Sequence, residues 1–261
     1  MRWGFIFGLI IVTIAVALGF FFTENRQSEE SVESLNTLSM ETIRIKTQDG
    51  VKIVGDYYSP TEDGTVVNGA ARGVLLLHMM PSDRRSWTKF AEKLQQAGFA
   101  ALAIDLRGHG ESPGGPNGYK NFSDEDHQAS RLDVEAAVDF LKEKGAVNIH
   151  LVGASIGANL SLEYAASHSE VRSVVLLSPG LDYRGLKTES WMERLSAEPG
   201  VLLVASEDDD YSRNSVNTLA GKMLFDEKRG VRIFASGGHG TNILENHPEF
   251  IEEIIKWLKQ F

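Results

Sequence analysis

The sequence predicts an α/β domain in which a mostly parallel sheet of about eight strands carries helices on both faces. Short apolar runs such as GVLLLH, FAALAID and VLLVAS recur along the chain, separated by longer segments whose apolar residues repeat with a helical period. A parallel strand covered on both faces must be apolar throughout, and the return to the next parallel strand needs a helical crossover. Composition agrees: the 261 residues are 42% hydrophobic and 24% charged, which suits one large core and not a disordered chain.

The first segment stands apart from this pattern. Arg2 precedes Trp3–Phe22, a run of apolar residues, glycine and one threonine. About 20 such residues span a bilayer core as a helix. The basic residue before the run keeps the N-terminus cytoplasmic and sends the rest outward. Residues 1–22 are thus expected to form an N-terminal transmembrane helix, as a signal-anchor or a signal peptide. Ala15-Val16-Ala17 offers small residues for cleavage, but the run continues through Leu18–Phe22, longer than a cleaved core needs. The expected product is membrane-anchored with an extracytoplasmic domain; the alternative is secretion after cleavage. Residues 23–40 are polar and acidic without a hydrophobic period and read as a linker. The domain occupies 41–261.

Within the domain, ETIRIKT and VKIVGDYYS alternate around Gln48-Asp49-Gly50 and predict an antiparallel hairpin. After a glycine-rich loop come a strand over Gly73–His78, a helical period over Arg84–Ala97 ending at Gly98, and a strand over Phe99–Asp105. Glycine and proline crowd residues 106–122. Ser123 and Asp126 then cap a helix running to about Lys144. VNIHLVG is a strand, Ile156–Ser167 a helix and VRSVVLLS a strand. An irregular span with one short helix fills 179–200. VLLVAS, a helix over Ser212–Phe225, VRIFAS and a helix over His247–Lys259 complete the chain. The span 179–200 leaves room for only a minimal cap.

Charge and composition exclude several functions. The net charge of −10 disfavours nucleic acid as a partner. The absence of cysteine rules out disulfides, thiolate metal sites and a cysteine nucleophile. Gly108 and Gly110 do not extend to a dinucleotide-binding turn, because Pro113 and Pro116 displace the helix that should follow. Asp208, Asp209 and Asp210 are adjacent carboxylates without spacers, which do not converge on one cation, and SDEDH at 123–127 reads as a helix start. No cofactor and no metal are implied.

The stretch IHLVGASIGANL carries the chemistry. Its G-x-S-x-G pattern lies between a strand and a helix, the context in which a serine hydroxyl projects from a strained nucleophile elbow. Gly153 and Gly157 leave room where the turn doubles back. A serine needs a base to take its proton and an anion to orient that base. Downstream, one strand ends at Asp208–Asp210 and the last ends at His239, so an acid precedes a histidine, each after its own strand.

On these residues the sequence resembles the α/β-hydrolase superfamily from about Glu41 to the end. LAIDLRGHGESPG (Leu102–Gly114) is similar to the D-x-R-G-x-G-x-S loop common after the fourth strand in this superfamily, and LLLHMMPSDRRSW lies where its oxyanion loop follows the third strand. The chain looks most like the small serine hydrolases of the dienelactone-hydrolase-like and serine-aminopeptidase-like branches, which are mainly esterases and related acyl hydrolases. The resemblance implies a catalytic triad of Ser155 as nucleophile, His239 as general base and Asp209 as the orienting acid, the last because the family places it three residues after a small residue, here Ser206. It implies oxyanion donors at the backbone N–H of Ile156 and of Met80, with Met79 the alternative, since His78-Met79 replaces the family's His-Gly. His78 and His109 are implied to be structural. Met79 narrows the acyl pocket, and Tyr183 and Trp191 are expected to line an open cleft for a small or exposed acyl-ester substrate. The implied activity is ester hydrolysis. An aminopeptidase or acyltransferase would share every motif, and a non-catalytic membrane-tethered binding module would share the fold.

Overall fold

The computed structural model describes residues 40–60, 71–224 and 226–261. The expected membrane segment and all but the last residue of the linker lie outside the described residues. Among the described residues, no helix is long and apolar enough to cross a membrane.

The strands are β1 (Met40–Lys46), β2 (Lys52–Tyr58), β3 (Ala71–Leu77), β4 (Ala100–Asp105), β5 (Ala146–Ala154), β6 (Val171–Leu177), β7 (Asp182–Tyr183), β8 (Leu186–Lys187), β9 (Gly200–Ser206) and β10 (Arg229–Phe234). Eight of them form one sheet in the order β1-β2-β4-β3-β5-β6-β9-β10, while β7 and β8 make a separate small hairpin. β1 and β2 are antiparallel, as their turn signature predicts, and β2 is antiparallel to β4. Every other pairing in the large sheet is parallel.

Alternation along each strand divides the core into two layers. Leu75, Leu77, Leu102, Ile104, Leu151 and Leu203 join a cluster that also holds Val134, Val138 and Leu141 of the helix Arg131–Glu143. Val74, Leu76, Ala101, Ala103, Val152 and Val204 join a second cluster with Phe90 and Leu94 of the helix Thr88–Gln96 and with Ile254 and Leu258 of the helix Phe250–Leu258. The strands are apolar throughout because both of their faces are covered. The helix Ile156–Ala165 is buried from Ile156 to Leu162, which explains its lack of a polar face.

Several boundaries differ from the sequence reading, three of them near the site. The helix expected from Ser123 to Lys144 is broken into Asp124–Gln128 and Arg131–Glu143. Its predicted cap is present: Ser123 Oγ accepts from the Asp126 N–H, and the Asp126 carboxylate accepts from the Ser123 N–H. The break comes where Ser130, Leu132 and Asp133 donate three residues back and tighten the chain. The closing helix starts at Phe250, after Pro248, and a separate short helix covers Asn242–Asn246. The span 179–200 holds the β7–β8 hairpin as well as the helix Glu189–Arg194, turning through Arg184 (φ 58°) and Gly185 (φ 81°).

All the parallel strands end along one edge of the sheet, and the loops leaving that edge build the site. The loop after β4 is fastened by charge. Asp105, fully buried, accepts from the Arg84 N–H (2.8 Å), Arg84 Nη1 (2.6 Å) and the Glu111 N–H (2.7 Å). Arg107 bridges buried Asp133 (2.8 Å) and Asp49 (2.7 Å). A side chain at Gly110 (φ 50°) would overlap the Asp105 carboxylate. The D-x-R-G-x-G-x-S run thus consumes its own charges in holding a loop.

Candidate active site

Ser155 stands directly after β5 with φ 56° and ψ −118°, a conformation that costs a non-glycine residue about 1–3 kcal/mol. The neighbours hold it there. A Cβ on Gly153 would overlap the Gly157 carbonyl, and a Cβ on Gly157 would overlap the Leu77 carbonyl at the end of β3. The Ser155 N–H donates to the Leu177 carbonyl (2.8 Å), and the Ser155 carbonyl accepts from Ala158 (2.9 Å), tying the elbow to β6 and to its own helix. Both glycines are therefore steric requirements of the turn.

After β9 the three aspartates separate by task. Asp209 Oδ2 lies 2.6 Å from His239 Nδ1. Burial pushes the Asp209 carboxyl up, but hydrogen bonds from Ser212 and His239 outweigh it and hold the group below the ordinary carboxylate range. An ionised carboxylate only accepts, so His239 Nδ1 carries the proton and Nε2 is left as the basic nitrogen. Asp208 accepts from the backbone N–H groups of Gly237 (3.2 Å) and Gly238 (3.1 Å), fixing the loop that leads into His239. Ser206 Oγ donates to the Gly238 carbonyl (2.6 Å) and adds a second tie. Asp210 pairs with Arg213 at the surface (2.7 Å).

The histidine loop meets the elbow at Gly240, where an added Cβ would overlap Met79 Sδ and come within 3.4 Å of Ala154 Cβ. The residue after His239 is thereby packed against the residue before Ser155. No hydrogen bond joins Ser155 Oγ to His239 here; such bonds tighten when substrate binds. Tyr183, on the β7–β8 hairpin, lies edge-on to His239 with ring centroids 6.4 Å apart. Its phenol is raised by burial, with the hydroxyls of Ser212 and Ser155 acting in the opposite direction. Trp191 packs partly buried against the core and has no hydrogen bond or ring contact with Ser155, Asp209 or His239 among the described residues.

Among the described residues, the N–H groups of Ile156, Met79 and Met80 donate to no protein acceptor. The loop carrying the two methionines is set by His78. Leu106 donates its N–H to His78 Nε2 (3.1 Å), so Nδ1 bears the proton and donates to the Met79 carbonyl (2.9 Å). Burial, together with the nearby His109, lowers the His78 pKa to about 3 and keeps the ring neutral. His109 stacks on Tyr119 (4.5 Å) and donates Nδ1–H to the Arg107 carbonyl (3.0 Å). Sequence reasoning did not find the roles of Asp208 or Ser212, which come from tertiary pairing and not from spacing. Among the described residues no group of histidines and carboxylates could hold a metal ion.

The α/β-hydrolase fold family matches residues 73–237, and the chain belongs to that family. Lipase 1 of Psychrobacter immobilis is 32% identical over 161 residues, covering 60% of this chain and 46% of the relative. The AB hydrolase superfamily protein YisY of Bacillus subtilis is 30% identical over 112 residues, covering 42% and 38%. The chain thus spans less than half the length of these curated relatives. Among solved structures, a Pyrococcus furiosus esterase superposes with a TM-score of 0.69 at 19% identity, over 88% of this chain and 95% of that one. A dienelactone hydrolase of Anabaena variabilis gives 0.68 at 21% identity, over 86% and 98%. At these identities the likeness shows a shared fold.

Proposed function

We propose that this chain is a serine hydrolase that cleaves a small-molecule ester or related acyl bond through Ser155, His239 and Asp209. The observation that carries the reading is the strained Ser155 elbow beside a histidine whose Nδ1 is held 2.6 Å from a partly buried, ionised aspartate. Ser155 Oγ attacks the acyl carbon while His239 Nε2 takes its proton, and the carbonyl π pair moves to oxygen. The free N–H of Ile156 and one from Met80 or Met79 accept that charge. Collapse expels the alkoxide, which takes the proton from His239 and leaves an acyl-Ser155 ester. Water then repeats the sequence, giving its proton to Nε2 and releasing the acid. Asp209 stays ionised throughout and stabilises the imidazolium. The esterase, lipase and dienelactone hydrolase relatives support ester substrates.

One substitution tests this reading. Ser155→Ala is expected to abolish hydrolysis of p-nitrophenyl acetate, and near-normal turnover in that variant would refute it. Met79 and Tyr183 are proposed to contact the acyl group. The apolar run Trp3–Phe22 further supports an uncleaved membrane anchor with the domain outside. Full-length protein in the membrane fraction, with the domain open to external protease, is the expected result; full-length soluble protein in the cytosol would contradict it.

A further inference from the structure

Two buried serines, Ser178 and Ser212, and the partly buried Tyr183 surround the Asp209–His239 pair, and none of the three takes part in the proton transfers above. Ser212 lies in the first turn of the helix Asp210–Lys222 and is fully buried. Its N–H donates to Asp209 Oδ1 (3.3 Å), the oxygen that His239 does not use. Its Oγ lies 3.4 Å from His239 Nδ1, 3.3 Å from the Tyr183 hydroxyl and 3.5 Å from the Ser178 carbonyl. One residue therefore reaches both members of the pair, holding the carboxylate with its backbone and meeting the imidazole with its side chain.

The donors and acceptors present fix the direction of these contacts. His239 Nδ1 carries a proton for Asp209, so toward Ser212 it can only donate, and Ser212 Oγ accepts. The Ser178 carbonyl and the Asp209 carboxylate accept only, so the Ser212 hydroxyl proton points to one of them. The Tyr183 hydroxyl then donates to Ser212 Oγ or, at 3.5 Å, to the same carbonyl. Ser178 completes the cradle from the far side: at φ 51°, its Oγ accepts the N–H of Gly240, the residue after His239 (2.9 Å). Tyr183 cannot drift from this network, because its hairpin is moored at its base. Asn159 on the nucleophile helix bonds the Gly180 N–H (3.1 Å) and the Leu186 carbonyl (2.8 Å). Tyr211 bonds both backbone groups of Asp182 (3.2 and 3.1 Å).

We infer that Ser212 is a positioning residue that supplies a second acceptor for the Nδ1–H of His239, and that Tyr183 holds the Ser212 hydroxyl in place for that purpose. This rests on the serine-hydrolase reading. A ring held by Asp209 alone can pivot about a single hydrogen bond; a second acceptor fixes its plane and therefore the direction of Nε2. The expected signature is a loss in turnover with binding untouched.

The test is steady-state hydrolysis of p-nitrophenyl acetate by the full chain, with the His239 Nδ1 proton followed by NMR. Ser212→Ala is expected to lower kcat about tenfold, near the upper worth of one neutral hydrogen bond, with KM within about twofold. Tyr183→Phe is expected to lose about threefold, and the double variant no more than Ser212→Ala alone, because Tyr183 acts through Ser212. The Nδ1 proton should shift and exchange faster with solvent in each. Ser212→Thr and Ser212→Val share one shape, so kcat retained in the first and lost in the second isolates the hydroxyl from packing and folding. If both fail to fold, Tyr183→Phe decides by the same two readouts. An unchanged kcat and Nδ1 resonance, a loss confined to KM, or equal behaviour of the Thr and Val variants would overturn the inference. If Ser155→Ala stays active, the hydrolase reading fails instead, while the NMR comparison between Ser212 variants still reads whether Ser212 holds His239.

Discussion

Two glycine-rich loops leave the same edge of the sheet, and they use similar residues for opposite ends. The loop after β4 contains Asp105, Arg107, His109 and Ser112, all buried and all engaged: Asp105 and Arg107 by charge, His109 by the Arg107 carbonyl, and Ser112 Oγ by the Asp105 carbonyl (2.7 Å) and the Val54 N–H (2.9 Å). The elbow after β5 holds Ser155 in a strained conformation and leaves the Ile156 N–H without a protein acceptor. A polar residue with its bonds satisfied inside the protein stabilises the fold. One held under strain with bonding capacity to spare is available to a substrate. The difference lies in strain and in backbone bonding capacity left open, not in residue type; in the β4 loop the atom without a partner among the described residues is a ring nitrogen, His109 Nε2.

The contrast is broken most severely at the elbow. Ser155→Ala should reduce esterase turnover by at least about ten-thousandfold while leaving urea unfolding unchanged, as measured by parallel kinetic and denaturation assays. The reverse outcome is expected in the β4 loop. Arg107→Ala leaves Asp133 buried and unpaired and should cost about 3–5 kcal/mol in urea unfolding, with any loss of activity following the loss of folded protein. An Arg107 variant of normal stability and no activity would dissolve the distinction.

A graded effect of pH comes from two buried histidines next to these loops. Burial lowers both His78, in the loop after β3, and His150, in β5, from 6.5 to about 3, so the folded chain holds them neutral. The unfolded chain protonates them below 6.5, so stability is full above that pH and falls as the pH drops toward about 3. Each histidine contributes a slope of about 1.4 kcal/mol per pH unit. Denaturation curves at a series of pH values should show the slope reduced by about 1.4 kcal/mol per pH unit in His150→Gln. The smallest effect is expected at Asp208, which bonds Ser206 and the backbone before His239. Asp208→Asn should lower kcat a few-fold, about the worth of weakened bonds to Gly237 and Gly238, against a far larger loss for Asp209→Asn.

Much of the fold was legible in the sequence because burial on both faces forces unbroken apolar strands such as Val74–Leu77 and Leu102–Ile104. The elbow was legible for a steric reason: Gly153 and Gly157 are the positions where a Cβ meets backbone that cannot move. What stayed hidden depends on meetings between distant segments. Ser212 reaches His239, Ser178 reaches Gly240, and Tyr183 reaches them from a hairpin whose strands are too short to leave a pattern. The break at Ala129–Ser130 was equally silent, since neither residue forbids a continuous helix. Trp191, expected at the cleft for its apolar surface, is partly buried and packs part of that surface against the core.

The most direct test of the account is fluorophosphonate labelling of the full chain, with the modified residue located by mass spectrometry. Labelling confined to Ser155 and lost in His239→Ala is the predicted result. A folded chain that takes up no label, or takes it up equally without His239, would contradict the assignment of a working nucleophile and base.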